Sequence, residues 1–414
     1  MEERGIPECP NDNRQEEQRM VLIFLYFAMF IIVSFASRVF VNPGVRKLFQ
    51  LVLCFILLFG IFGFRDISVL NDTSTYYGYY YRNALYTSYR NDSIFTFNIL
   101  ERFEWGYQVL AHFLVKYVST NPYTIIIISS LIVTIGDLWF ISKHSRDVAM
   151  VCFFFLVGNI FFMHYCIIRQ SFALIIFYGA FNYLEKRKTL RYCLLILLAS
   201  LFHSSAYILL LLPLLMKLRI NKRNVIIIFL VSLVAGLLIF KILSLLGMHD
   251  NPYYKFAIQK ESISLVGLIE LGIMAAVLSI MLWVHKASGI RHIDPPFFWI
   301  CVLAMSVCII APTFYGIARV NEFLWPFIMV QLLRYITPAY MKPVSEQVTE
   351  TNSDTKKRRG RLAQKIGILL IVAIFSGKMI GVNAFRPEWM HVVPFKFYDF
   401  DKRYHYYNLY PQEE

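Results

Sequence analysis

The sequence predicts an all-α protein threaded many times through a membrane. Of its 414 residues, 57% are apolar or aromatic and only 16% are charged, and mean hydropathy is +0.54, a balance typical of a polytopic membrane chain. Apolar runs of helix length recur from end to end, separated by short connections. Lys and Arg outnumber Asp and Glu by 41 to 27, and much of that excess lies in the short connections, where it reads as topology before it reads as a polyanion site.

In chain order, residues 1–19 form a polar leader with six acids against three arginines and no small-residue cleavage site after the run that follows, so the first span is expected to be retained. Apolar segments then fall at 20–37, 48–64, 122–141, 149–163, 171–184, 192–202, 205–216, 225–245, 265–284, 297–311, 320–337 and 362–382, about 12 membrane segments in all. The expected organisation is a transmembrane core over 20–337 with an outer loop at 65–121, a cytoplasmic basic loop at 338–361, a last transmembrane helix at 362–382 and an aromatic outer tail at 383–414.

Loop charge orients these segments. Residues 185–191 hold four cations, 217–223 four and 356–361 five, which places all three inside. Residues 38–47 carry three cations and no acid, so they too belong inside and the N-terminus outside. Two stretches then need explaining. Residues 106–119 cannot be a full crossing between an outer loop and an inner one, and His112 and Lys116 among apolar neighbours predict an interfacial helix on the outer face. Residues 192–216 have basic loops at both ends, which predicts a re-entrant pair of short helices breaking near His203.

With that orientation the unusual polar residues collect on one side: Arg65, Asp72, Glu104, Arg169, Gln170, His203 and Arg319. Ionisable groups at a bilayer edge persist where they pair or perform a task. Tyrosines crowd the first outer loop, from Tyr76 to Tyr107, and suit either stacking on sugars or anchoring at the headgroups. The seven cysteines form no Cys-x-x-Cys pair and no Cys/His cluster, so neither disulfides nor a metal site are expected. No phosphate loop or serine elbow occurs, no cofactor is called for, and the basic run at 356–361 suits anionic lipids rather than nucleic acid.

Four elements occur in a telling order: Gly63-Phe64-Arg65 followed by Asn71-Asp72-Thr73 and Tyr76; Glu104-Trp105-Gly106-Tyr107; Arg169-Gln170 with Ala173; and Phe202-His203 with Ser205-Ala206. In these the chain resembles the EpsG family of exopolysaccharide and O-antigen polymerase-type membrane proteins, over about residues 20 to 340. One departure is Asn71, which stands where the family has glycine before the acid; asparagine tolerates left-handed backbone almost as glycine does. The resemblance implies a polymerase in the bacterial cytoplasmic membrane that joins undecaprenyl-pyrophosphate-linked repeat units on the outer face. It also implies a fold like the lipid-donor (GT-C-like) glycosyltransferases, with a flippase and a chain-length regulator as neighbours.

Such a transfer breaks a glycosidic bond to a pyrophosphate whose negative charge fixed guanidiniums can stabilise without a metal. Arg169, Arg319 and Arg65, with Gln170 beside them, are the candidates for holding it. The attacking hydroxyl needs a proton acceptor, for which His203, Asp72 and Glu104 lie in the right compartment. Plainer roles stay open: Arg169 snorkelling at a helix end, His203 as a satisfied core histidine, Arg319 paired with Glu322, Arg65 with Asp66, and Glu104 in a solvated loop. A flippase or transporter of lipid-linked sugars is the competing reading, and would place polar groups near the midplane on broken helices. An O-antigen ligase or single-sugar transferase differs only in acceptor.

Overall fold

The computed structural model describes residues 25–89, 94–95, 103–245, 263–288, 294–341, 354–385 and 395–399. Expectations for the leader, most of the 247–264 loop, residues 342–353 and most of the aromatic tail lie outside the described residues. Among the described residues every regular element is a helix, and extended pairing is confined to two single β-bridges, Arg65 with Phe397 and Ser145 with Met341. The helices are α1 (Leu25–Val39), α2 (Pro43–Phe62), α3 (Thr73–Tyr89), α4 (Trp105–Tyr117), α5 (Thr124–His144), α6 (Val148–Val157), α7 (Ile160–Cys166) and α8 (Ile168–Glu185). Then come α9 (Thr189–Ser200), a 3-10 helix (Ser204–Leu211) running into α10 (Leu212–Leu215), α11 (Lys222–Leu245), α12 (Leu265–Ala287), α13 (Pro295–Ile310), a 3-10 helix (Tyr315–Val320), α14 (Asn321–Ile336) and α15 (Asp354–Phe385).

Among the described residues five helices are long and apolar enough to cross a bilayer: α2, α5, α12, Lys222–Lys241 within α11 and Arg358–Gly381 within α15. The bent pair α6–α7 makes a sixth if its arms are one span. This is a membrane protein, with fewer long helices than the about 12 segments that hydropathy delineates. The reason is physical: hydropathy counts apolar residues whether lipid or protein surrounds them. Segments 297–311 and 320–337 become α13 and α14, 16 residues each, about 24 Å long against a hydrocarbon core of about 30 Å, and α14 is buried almost all round. Segment 149–163 is not one helix, because the chain turns at Gly158–Asn159, where Asn159 takes a left-handed φ of 61° and α6 meets α7 at 75°.

The chain divides into two compact units: unit 1 comprises Met1–Lys143, Asp147–Ile168 and Ser376–Glu414, and unit 2 comprises His144–Arg146 and Arg169–Phe375. In unit 1, α2 starts with Pro43 in its first turn and the Asn42 side chain accepting from Gly44 N at 2.8 Å, the arrangement that satisfies a helix start. Gln50, Cys54, Leu58 and Phe62 form its buried stripe at four-residue spacing, while Leu48, Val52 and Ile56 lie exposed. A helix apolar on both faces has lipid as its second solvent. At one end of the unit Lys47 Nζ donates to Ser142 O (2.7 Å), Gln50 Nε2 to Asp147 Oδ1 (3.1 Å) and Ser34 Oγ to Asp147 Oδ2 (2.6 Å). The opposite end carries the turn after α2 and the docked segment 395–399.

In unit 2, rings of Phe177, Phe181, Phe297 and Phe327 interlock, with centroids 4.6 to 6.4 Å apart. One end is clasped by Arg334, which bonds Gln331 Oε1 (3.1 Å) and His144 Nδ1 (3.2 Å) and lies 3.6 Å from Asp294. The other end is closed by Ser264 N donating to Pro312 O at 2.7 Å, and at Gly267 any Cβ would sit 2.5 Å from Ala311 O, so only glycine permits that crossing. The expected pair of short helices is present. α9 ends at Ser200, the chain turns through residues 201–203, and Tyr192 Oη donates to Leu209 O at 2.8 Å, so the second arm folds back along the first.

Candidate functional site

The conformation after α2 in unit 1 is set by Arg65, whose side chain is fully buried. Its Nε donates to Thr73 Oγ1 (3.2 Å), Nη1 to Ser130 Oγ (2.9 Å) and to Phe62 O, and Nη2 to Tyr165 O (3.0 Å). One guanidinium thereby joins the end of α2, the start of α3, the middle of α5 and α7. Burial lowers its pKa to about 10, opposed by Tyr123, Cys166 and Tyr165. Tyr123, itself buried, donates its hydroxyl to both Gly63 O (3.1 Å) and Arg65 O (2.7 Å). Asp66 does not close an ion pair with Arg65; its Oδ1 accepts from Ser68 N (2.9 Å) and Ser68 Oγ (2.6 Å).

The left-handed residue of this turn is Leu70, with φ 63° and full burial, and not the neighbouring Asn71 at which the sequence places that geometry. A non-glycine residue held there stores about 1–3 kcal/mol. Asp72 follows, half-buried and immediately before α3. Glu104, also half-buried, immediately precedes α4, its carbonyl accepting from Tyr107 N and Gln108 N at 3.1 Å. The tyrosine-rich stretch is therefore helix rather than loop, and Tyr76, Tyr79 and Tyr107 pack with Phe103 into a buried aromatic core, with centroids 4.3 to 6.1 Å apart. Tyr76 meets Tyr107, and seven residues on Asn83 Oδ1 meets His112 Nε2 at 3.2 Å, so α3 and α4 run in the same sense. Asp72 and Glu104 thus stand at the same end of one helix pair. α4, 13 residues long, is too short to span.

In unit 2, Arg169 and Gln170 lie in the first turn of α8, Arg169 half-buried and Gln170 buried. Gln170 Nε2 donates to the backbone oxygen of Arg319 at 2.6 Å. Its Oε1 is buried and has no hydrogen-bond partner among the described residues. The Arg319 side chain is exposed, and its guanidinium forms no ion pair among the described residues, so the helical pairing with Glu322 is not made. His203 caps the 3-10 helix, with Nδ1 3.3 Å from Ser205 N and 2.6 Å from Ser205 Oγ. A ring nitrogen that accepts a backbone N–H carries no proton, which leaves the Nε2–H tautomer. Phe202 meets Phe172 of α8 at 5.8 Å, and the His203 ring meets Phe323 of α14 at 6.5 Å. These contacts gather Arg169, Gln170, His203 and Arg319 at one end of unit 2, while Arg65, Asp72 and Glu104 gather at one end of unit 1.

Sequence reading passed over several groups. Asp137 of α5 and His164 of α7, both 1% exposed, pair at 2.9 Å (Oδ2) and 3.1 Å (Oδ1) inside unit 1. The signal was Ser130, Thr134 and Asp137 at helical spacing within an apolar run. Thr134 Oγ1 lies 2.7 Å from Tyr165 Oη on the same face. Tyr123 and Tyr398 gave no signal beyond being aromatic. Among the described residues no three His, Cys, Asp or Glu side chains are placed to hold a metal ion.

The family model for EpsG matches residues 47–348, most of the chain. The chain belongs to the EpsG family. No curated protein and no solved structure matches it. EpsG is a Wzy-like polymerase family, which ties this member to exopolysaccharide biosynthesis. All four sequence elements named above, from Gly63 to Ala206, fall inside the EpsG match.

Proposed function

We propose that this protein is a membrane glycosyltransferase that polymerises lipid-linked oligosaccharide repeat units on the outer face of the bacterial cytoplasmic membrane. The observation that carries this reading is the joint between Gln170 and Arg319, which brings two arginines from distant parts of an EpsG chain to one end of a unit. In the reaction the acceptor hydroxyl oxygen bonds the donor's anomeric carbon, the bond from that carbon to pyrophosphate oxygen breaks, and the hydroxyl proton passes to a base. Arg169 and Arg319 hold the departing polyprenyl pyrophosphate as its charge develops. Gln170 fixes the Arg319 backbone and offers Oε1 to a sugar hydroxyl. His203, in the Nε2–H form, donates to the leaving oxygen or its phosphate, because its Nδ1 lone pair is engaged by Ser205. Asp72 and Glu104 are the carboxylates proposed as proton acceptor, on their chemistry alone. Arg65 spends its donors on protein and is assigned to bracing rather than to pyrophosphate. The lipid-donor fold, the further short membrane segments, the outer interfacial position of α4 and the re-entrant depth of the 192–216 pair belong to this same reading.

One observation favours the transporter reading instead: Asp137 and His164 lie buried beside the broken helix pair α6–α7, the setting in which transporters place polar groups. Deleting the gene and complementing with wild type, Arg169→Ala or Arg319→Ala at matched protein level separates the two. Single capped repeats in place of a long-chain ladder, unrescued by either variant, support the polymerase. Loss of all surface glycan with lipid-linked repeats retained inside supports the transporter, and an unchanged ladder on deletion removes both.

A further inference from the structure

We infer that residues 395–399, a segment beyond the EpsG match, form a strap that positions the Arg65 turn, with Tyr398 as its positioning residue. Asp66 N donates to Lys396 O at 2.8 Å and Tyr398 N donates to Phe64 O at 2.9 Å, closing an antiparallel bridge between Arg65 and Phe397. The ring of Tyr398 stacks on that of Tyr123 with centroids 3.7 Å apart and planes 15° apart. Tyr123 is the residue whose hydroxyl holds Gly63 O and Arg65 O together. Tyr398 also hydrogen-bonds Tyr77 of α3. The strap therefore touches the turn, the start of α5 and α3, the three parts of unit 1 that fix Arg65 and Asp72.

Burial of apolar side chains does not explain the docking, since Lys396 is exposed and Phe397 is 60% exposed. Among the described residues, backbone pairing, the stacked ring and the Tyr398–Tyr77 bond all hold the segment. The pairing gives the turn's Phe64 O and Asp66 N backbone partners, as main-chain donors and acceptors require. The family match ends at residue 348, so the strap lies outside the matched region. Its consequence for polymerisation rests on the function proposed above; its docking does not.

The test uses the full chain in membranes. Tyr398→Ala removes the stack, while Tyr398→Phe keeps it and loses only the hydroxyl. An aromatic pair is worth enough to change rate about two- to tenfold when it acts on a site, so polymer per unit protein should fall by that factor in Y398A and stay near wild type in Y398F. An Asp66→Cys/Lys396→Cys pair, placed at hydrogen-bonded bridge positions about 5.5 Å apart between Cα atoms, suits a disulfide, read by mass spectrometry without any activity assay. Oxidised and reduced samples of that one variant are then compared for polymer. Efficient cross-linking with activity retained after oxidation supports the strap. Failure to cross-link overturns it and leaves the polymerase reading standing. Activity lost on oxidation and restored on reduction also overturns it, since the segment would then have to lift. Wild-type activity in Y398A overturns the positioning role, whereas an unchanged ladder on gene deletion defeats the polymerase reading while the cross-link still reports docking.

Discussion

Replacing Arg65 by lysine separates a brace from a ligand. The guanidinium reaches four acceptors on four elements, two of which, Ser130 Oγ and Phe62 O, also bond each other at 3.2 Å. Lysine keeps the charge but offers a single point of donation, so at least Tyr165 O and Thr73 Oγ1 lose their partner. At about 1.5–3 kcal/mol for each charge-assisted bond, two lost bonds amount to about 3–6 kcal/mol, a large share of a typical stability of about 5–15 kcal/mol. The assay is the amount of protein in membranes together with its melting temperature in detergent, both of which should drop sharply. pH gives a further check. Burial lowers Arg65 to about 10, and a lysine there starts from a lower ordinary value, so its folded pKa falls below its unfolded one and the unfolded chain binds more protons between the two. Stability of R65K therefore rises with pH through that window, and the variant should melt nearer to wild type at about pH 9 than at about pH 7. R65K with wild-type level and melting but no polymer would refute the bracing role and return Arg65 to the pyrophosphate.

Gln170→Met keeps volume and removes the bond to Arg319, so polymer per unit protein should fall more than tenfold, about 1.4 kcal/mol of barrier, with level unchanged; equal polymer would remove the joint from the site. Leu70→Val puts a β-branched residue at φ 63° and should lower membrane level, whereas Leu70→Gly, which trades about 1–3 kcal/mol of strain for a comparable loss of burial, should stay closer to wild type. Asp137→Leu alone should cost about 3–5 kcal/mol by stranding His164; adding His164→Phe should restore the level, and a restored level without glycan export would move the pair from structure to transport. A cysteine at exposed Ser68 should react with an impermeant thiol reagent from outside and one at exposed Thr189 should not; the reverse would invert the orientation.

What could be read in the sequence were features with a local cause. Two basic loops around 192–216 leave room for a hairpin only if it breaks near His203, and the chain turns there. Only one crossing fits between the loop before 106–119 and the basic one after residue 142, so that stretch was read as a non-spanning helix, and α4 is a short helix. What could not be read depends on distant partners. Arg65 at the end of an apolar run looks the same whether it faces phosphate or four internal acceptors, one of them 100 residues away. The Asp137–His164 pair is invisible to a hydropathy window, which tolerates one charge in twenty apolar residues. Asn71 drew the left-handed geometry on propensity, yet burial of Leu70 overrode it by one residue.

The strap also sets an order in time. Arg65 and Phe397 are separated by nearly the whole chain, and at roughly 5–20 residues per second the ribosome needs on the order of 15–65 s to travel between them. Through that interval the turn bearing Arg65 has been made while these backbone partners do not yet exist. Synthesis of α15 and of the strap beyond it is then the event that completes this end of unit 1, so a chain that stops short of the strap would present an unfinished turn. This late-made segment thus acts as a signature of synthesis carried past α15.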